Sequence, residues 1–166
     1  MRCAASLVPA VLVTIVLFGL LLLPVTPARA SSPRFDRMER AVVRAINRHR
    51  ARAGLRRVRA ARPLARAADF HSREMLAGNY FAHTSLNGGS FSTRIHRYTG
   101  ARAVGETLAW VTGCRHAAGM VVSMWMHSPP HRAILLSPAF DRVGVARRAG
   151  HMGGHRACVV TGDFAR

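Results

Sequence analysis

Two adjacent prolines, Pro129 and Pro130, stand directly behind Ser128, and they constrain this chain more than any other feature. A proline inside a helix removes a hydrogen bond and clashes with the preceding turn, so no helix can run through this point. The helix expected over residues 114–126, with Met120, Val121, Met124 and Trp125 on its apolar face, must end near His127. A second, short helix must begin at the prolines. Ser128 reads as its N-cap and Pro129 as its first position, where a missing N–H costs nothing. It continues through Arg132 and stops near Ser137-Pro138. His127 and His131 therefore belong to different helices and need not share a face. His131 is held on the first turn of a short, rigid helix, and what matters is which residues come to meet it.

The N-terminus limits where the chain works. Residues 7–23 are nearly all apolar, Arg2 precedes them, and Ala28-Arg29-Ala30 fits the small-x-small rule of signal peptidase. Residues 1–30 thus read as a signal peptide cleaved after Ala30, followed by a lead-in at 31–36 and one domain over 37–166. The rival is an uncleaved anchor, because the apolar run approaches the roughly 20 residues that span a bilayer. In that case this segment would be the only membrane contact. Pro9, Pro24 and the Ala-x-Ala site favour cleavage, and both readings put the domain in an extracytoplasmic or secreted location. Cys3 leaves with the signal. Cys114 and Cys158 remain, and an even cysteine count in an exported domain points to a disulfide between them. Two unpaired, buried thiols are the alternative.

Hydrophobic spacing supplies the remaining elements. Phe35, Met38, Val42, Ala45 and Ile46 recur at steps of three and four, which predicts a helix over residues 35–53 stopped by Gly54. Residues 55–62 read as an arginine-rich connection. Pro63 opens a second helix with Leu64, Ala67, Ala68, His71, Met75 and Leu76 inward, closed by Gly78-Asn79. An aromatic-led loop follows at 79–85, then a turn at Asn87-Gly88-Gly89 and a short helix over 91–98 capped by Ser90. Residues 103–111 become β-like at their close. Strands over 142–147 and 158–164, joined by a Gly- and His-rich hairpin loop at 150–156, finish the chain. Helices first and a strand pair last suit an α+β layer architecture.

Charge narrows the partners. The formal net charge is +18, falling to +16 once Arg2 and Arg29 leave, and every basic residue is arginine. Such a charge attracts anionic surfaces: cell-wall polymers, acidic lipids or nucleic acid. Strong arginine usage with abundant Ala and Gly is also what a GC-rich genome writes by default. No recognition-helix, RNA-binding aromatic or zinc-finger pattern accompanies the charge, so no specific nucleic-acid partner is expected. Anionic cell-envelope polymers or lipids are the expected partners of a monomer.

Three polar residues stand out by their settings: His83 behind Tyr80-Phe81, Glu106 behind Gly105, and His131. Two imidazoles and a carboxylate can hold a divalent metal with an open position, or act as acid and base around a cleft. The intervals between 83, 106 and 131 match no local metal motif, so only the fold can unite them. Three separate structural residues remain the alternative. His71 reads as a packed histidine, and His151 and His155 as parts of a solvated turn. Cys114 as a thiol nucleophile is the less favoured counterpart of the disulfide. No nucleophile elbow or phosphate-binding glycine loop occurs.

Together these pieces resemble the CAP superfamily (cysteine-rich secretory proteins, antigen 5 and pathogenesis-related 1), also called the SCP domain, in its compact bacterial form. The resemblance covers about residues 37–164. It rests on Asn47-x-x-Arg50 before Gly54-Leu55, on Leu64…Ala67-Ala68 and Met75, and on Tyr80-Phe81-Ala82-His83-Thr84. It continues in Gly105-Glu106-Thr107-Leu108-Ala109, in Trp125-Met126-x-Ser128-Pro129-x-His131-Arg132, and in Val143-Gly144-Val145 and Asp163-Phe164. It implies a three-layer α-β-α sandwich with a small, mostly antiparallel sheet and a central cleft. It places His83, Glu106 and His131 on that cleft, with His83 and His131 as ligands of zinc or another divalent cation. Two departures matter. Thr107 stands where the family usually has Asn, and Ser128 where it has a second glutamate. The resemblance therefore implies a secreted binding or interaction module at the bacterial cell envelope or outside it. The alternative is a metal-dependent, protease-like hydrolase with Glu106 as the candidate catalytic base.

Overall fold

A computed structural model describes residues 35–166 except His116; the expected signal segment, its cleavage point and most of the lead-in lie outside the described residues. The first helix, α1 (Arg37–Arg52), starts on a capping box. Glu39 N–H donates to Asp36 Oδ1 and Asp36 N–H donates to Glu39 Oε2, both at 2.8 Å. Burial, ahead of the nearby Asp36 charge, raises the Glu39 pKa despite these bonds. Then come β1 (Arg59–Ala60), α2 (Arg62–Ala77), α3 (Phe91–His96), β2 (Val104–Val111), α4 (Ala117–His127), α5 (Pro129–Leu135), β3 (Arg142–Met152) and β4 (His155–Ala165). The helix break at the two prolines falls where expected. Ser128 occupies the cap position, but its hydroxyl makes no capping hydrogen bond; Ser90, by contrast, accepts from Thr93 N–H.

The strands form one sheet in the order β1-β3-β4-β2, antiparallel except for the short β1–β3 pair. β1 lies inside the segment read as a plain connection; two ladder bonds, from Arg59 N–H to Asp141 O and from Ala61 N–H to Val143 O, make it a strand. The hairpin is also tighter than the expected 150–156 loop. Pairing continues out to Met152 opposite His155, leaving a two-residue turn of Gly153 and Gly154, with φ of 56° and 80°. A turn with both central residues at positive φ is the one whose twist matches two antiparallel strands, and glycine adopts it without strain.

Side-chain alternation on β2, β3 and β4 sorts the helices into two layers. On one face Val143, Val145, Val160 and Phe164 pack with Val42 and Ile46 of α1, Val121 and Trp125 of α4 and Leu135 of α5. Trp125 is 1% exposed and its Nε1–H donates to the Leu108 carbonyl at 2.8 Å. Cys114 and Cys158 are joined in a disulfide that ties the start of α4 to β4, with Cα atoms 5.2 Å apart. On the other face α2 lies against the sheet through Leu64, Ala67 and Met75, and Ser72 bonds to Thr161 at 2.8 Å. Gly144 sets this approach: a Cβ there would meet Ala65 N at 2.0 Å and Leu64 C at 2.1 Å. Helices on both faces of a small sheet make the α-β-α sandwich that the sequence led us to expect.

Candidate functional site

β2 is an edge strand, and its Glu106 points to the α2 face directly opposite Asp163 of β4. Next to it, Gly105 leaves room for α5, since a Cβ there would lie 3.3 Å from Ile134 Cγ2 and 3.0 Å from Phe140 Cζ. This close packing seats α5, with His131 on its first turn, against the edge strand. The far end of α5 is pinned by Arg50, which is 1% exposed and donates to the carbonyls of Leu135 (2.8 Å), Ser137 (2.9 Å) and Phe140 (3.1 Å). A cation on the last carbonyls of a helix satisfies groups with no intrahelical partner and complements the dipole. Asn47 binds Val58 through both its N–H and its carbonyl. The Asn47 and Arg50 pattern therefore serves the frame of the site and not its chemistry.

His83 arrives on the loop between α2 and α3, and a polar clamp fixes that loop. Fully buried His71 bonds Glu74 through Nδ1 (3.0 Å) and the Ala82 carbonyl through Nε2 (2.8 Å), which makes it the packed histidine expected from its place on the α2 stripe. Glu74 accepts from Ser85 Oγ at 2.8 Å and from Leu86 N–H at 3.3 Å. Burial pushes the Glu74 pKa up, but the bonds from His71 and Ser85 outweigh it and hold the group below its usual value. Arg94 of α3 donates to Ser85 Oγ at 2.8 Å and to the His83 carbonyl at 3.3–3.4 Å.

The structure brings all three singled-out residues together. His83 Nδ1–H donates to Glu106 Oε1 at 2.8 Å, so its other ring nitrogen, Nε2, is left without a hydrogen in the neutral form. The rings of His83 and His131 lie 6.0 Å apart, centroid to centroid, and are tilted by 48°. Phe91 meets the His83 ring edge-on at 6.2 Å. The His83 side chain is 47% exposed, whereas that of Glu106 is fully buried. Burial, and then the neighbouring His83, lowers the His131 pKa and favours its neutral form. His127 is exposed and turns back to the Ser123 carbonyl at 2.8 Å, while His151 and His155 sit exposed at the hairpin tip.

Two further ionisable residues belong to this site. The Arg94 guanidinium, 3% exposed, pairs with Glu106 Oε2. Asp163 is fully buried, and neither of its oxygens has a donor among the described residues. Burial first, and the facing Glu106 second, push its pKa well above the ordinary value; Arg94 opposes them. These effects hold Asp163 towards its neutral, protonated form beside the Glu106 side chain. Both residues leave a trace in the sequence. Arg94 lies three residues after inward-facing Phe91, on the same side of a short helix. Asp163 is the one acid in a mostly apolar strand, where a buried acid needs a partner.

The two departures from the family pattern have different weight. Thr107 points to the opposite face of the sheet from Glu106, where its hydroxyl donates to the Gly162 carbonyl at 3.3 Å, so it does not touch the cleft. Ser128 ends α4 and starts α5 without adding a carboxylate. Among the described residues no set of three or more His, Cys, Asp or Glu is arranged to hold a metal ion. His83 and His131 are the two imidazoles that lie side by side here, without a third ligand of this kind among the described residues. Two imidazoles sharing one tetrahedral ion at about 2.0–2.1 Å would have centroids about 5 Å apart, so the observed 6.0 Å is somewhat wider than a shared ion requires and the rings would have to close by just under an ångström.

Comparison with known proteins agrees with this architecture. Residues 43–162 match the family model described as CAP, cysteine-rich secretory protein family. An outer surface protein from Borrelia burgdorferi has a similar structure, with a TM-score of 0.69 and 20% identity over 81% of this chain and 96% of that one. An extracellular protein containing an SCP domain, from Bacillus anthracis, gives 0.63 and 27% identity over 78% of this chain and 40% of that one, so this chain spans less than half of that protein. Venom allergen-like protein 4 from Schistosoma mansoni gives 0.57 at 10% identity, over 78% and 88% of the two chains. The matches at 10% and 20% identity show the fold alone. No curated protein matches by sequence. No helix among the described residues is long and apolar enough to cross a membrane.

Proposed function

The chain belongs to the cysteine-rich secretory protein (CAP) family, and from that premise we propose that it is a binding module outside the cytoplasm, at the bacterial cell envelope, and not a hydrolase. One observation carries this reading: both oxygens of Glu106 are engaged, by His83 and by Arg94, and its side chain is fully buried. A general base must come within hydrogen-bond reach of the proton it removes. Glu106 instead orients His83, as a carboxylate behind a ligating histidine does. The outward nitrogen of His83 and the ring of His131 form the mouth of the site and would hold zinc or another divalent cation. With two protein ligands, fewer than the three of catalytic zinc sites, such a cation would keep open positions for donor atoms of the bound ligand and polarise them as a Lewis acid. The arginine-rich surface draws the module to anionic envelope polymers or lipid head groups.

Zinc titration by calorimetry tests the cleft. Saturable binding by the wild type, abolished in His83→Ala/His131→Ala, is expected. If both proteins bind zinc equally weakly, the two histidines do not form a shared site.

A further inference from the structure

The exposed side of α1 carries Arg40, Arg44, Arg48 and Arg52 at strict four-residue intervals, all of them exposed. None has a carboxylate within ion-pair distance among the described residues. The acids at the start of this helix are turned to other work: Asp36 caps it and pairs with Arg147, and Glu39 is buried. Like charges four residues apart destabilise a helix, so the row works against folding. Arg57 and Arg62, on and after the connection that follows α1, form a second row. Two shallow hollows of about 470 and 370 Å³ lie between the rows. Arg40, Arg44 and Arg62 line the first, Arg44, Arg48, Arg52 and Arg57 the second, and no acidic residue lines either.

We propose that this double row is a docking track for a linear polyol-phosphate polymer, in which short polyol units without bases are joined by phosphodiesters. The proposal rests on the reading of the chain as an envelope-binding module and gives that module its partner and a second surface, separate from the histidine cleft. Successive arginines rise about 6 Å along the helix, a length comparable to a repeat of three backbone carbons and one phosphate. The guanidinium fork matches phosphate oxygens in pairs, and the hollows between the rows take up the backbone atoms between charges. The geometry disfavours two other polyanions. α1 turns Val42, Ala45 and Ile46 into the core, and Val43, 9% exposed, is the one large apolar side chain of the helix that lines the hollows, so the track has no continuous apolar face to insert into a bilayer. Half-buried Phe35 is the one aromatic lining the hollows, so bases would find no series of stacking platforms.

The test compares the disulfide-bonded protein with two fourfold variants that lose equal charge. One is Arg40→Ala/Arg44→Ala/Arg48→Ala/Arg52→Ala; alanine suits exposed helical positions, so α1 is retained. The other, Arg97→Ala/Arg102→Ala/Arg115→Ala/Arg156→Ala, removes exposed arginines elsewhere. The probes are poly(glycerol phosphate), a homopyrimidine oligonucleotide and phosphatidylglycerol vesicles, each at low and physiological salt. The expected result is polymer binding at least about tenfold weaker in the α1 variant, with a flatter salt dependence, and little changed in the control. Equal loss in both variants overturns the track and leaves only overall charge. Tighter binding of the wild type to vesicles or to the oligonucleotide than to the polymer overturns the ligand class. If the wild type binds none of the three, the track and the anionic-envelope reading fall together, whereas the zinc titration judges the cleft independently.

Discussion

Replacing Arg94 by methionine isolates the buried charge on which the site is built. In the wild type Arg94 is 3% exposed and pairs with Glu106, whose side chain is fully buried. Methionine has a similar length but no charge. It would leave Glu106 with one hydrogen bond, from His83, and with Asp163 at its other side. Removing one partner of a buried ion pair costs about 3–5 kcal/mol, because the remaining charge is uncompensated. The lost bond to Ser85 adds little, since Ser85 keeps its bond to Glu74. In a domain of this size each kcal/mol lowers Tm by roughly 3–5 °C, so a fall of about 10–25 °C is expected. Urea unfolding followed by the fluorescence of Trp110 and Trp125 measures the free energy directly. The double variant Arg94→Met/Glu106→Gln should recover part of the loss, because it removes the stranded charge; the cycle gives the coupling. A loss below about 1 kcal/mol for Arg94→Met, with an unchanged denaturant slope, would refute the reasoning, because a truly buried pair cannot be broken that cheaply.

Three further outcomes follow from the same geometry. Asp163 has a raised pKa in the folded state, so the native protein binds more protons than the unfolded chain above about pH 4, and this group's stability contribution is lost as pH rises. Asp163→Asn should therefore flatten the pH dependence of stability and be no less stable than wild type at neutral pH; parallel pH profiles would contradict this. Gly144→Ala places a Cβ against the α2 backbone, which cannot yield as a side-chain tip can, so the variant should lose at least about 3 kcal/mol or fail to accumulate as soluble protein. The disulfide closes a separation of 44 residues, for which chain-entropy reasoning gives about 4 kcal/mol. Cys114→Ala/Cys158→Ala should lose about 2–4 kcal/mol by that principle, and mass spectrometry of the native protein after alkylation without reductant should show no labelled thiol at either position.

Local and periodic information carried much of this protein. The proline pair separated α4 from α5 because a missing N–H and a ring clash act within one turn of the chain. Steps of three and four exposed the buried faces of α1 and α2, and the Gly- and His-rich stretch at 150–156 marked the hairpin even though its strands run further than hydropathy indicated. An even cysteine count named the right pair. The likeness of the Tyr80–Thr84, Gly105–Ala109 and Trp125–Arg132 segments to CAP proteins brought His83, Glu106 and His131 to one cleft. Only the tertiary structure decided what that cleft is made of. Asp163 faces Glu106 because β4 pairs with β2 in one particular register, and register depends on the packing of whole faces and not on either strand alone. Arg94 and Glu106 are twelve residues apart in sequence and pair only because α3 comes to lie over the β2 edge. Thr107 stood next to Glu106 as a visible departure from the family pattern, yet it points to the other side of the sheet, since adjacent residues in a strand face opposite ways. Chemistry-bearing residues can thus be read from a sequence one at a time. Which of them is desolvated, paired or left to meet a ligand is a property of long-range packing.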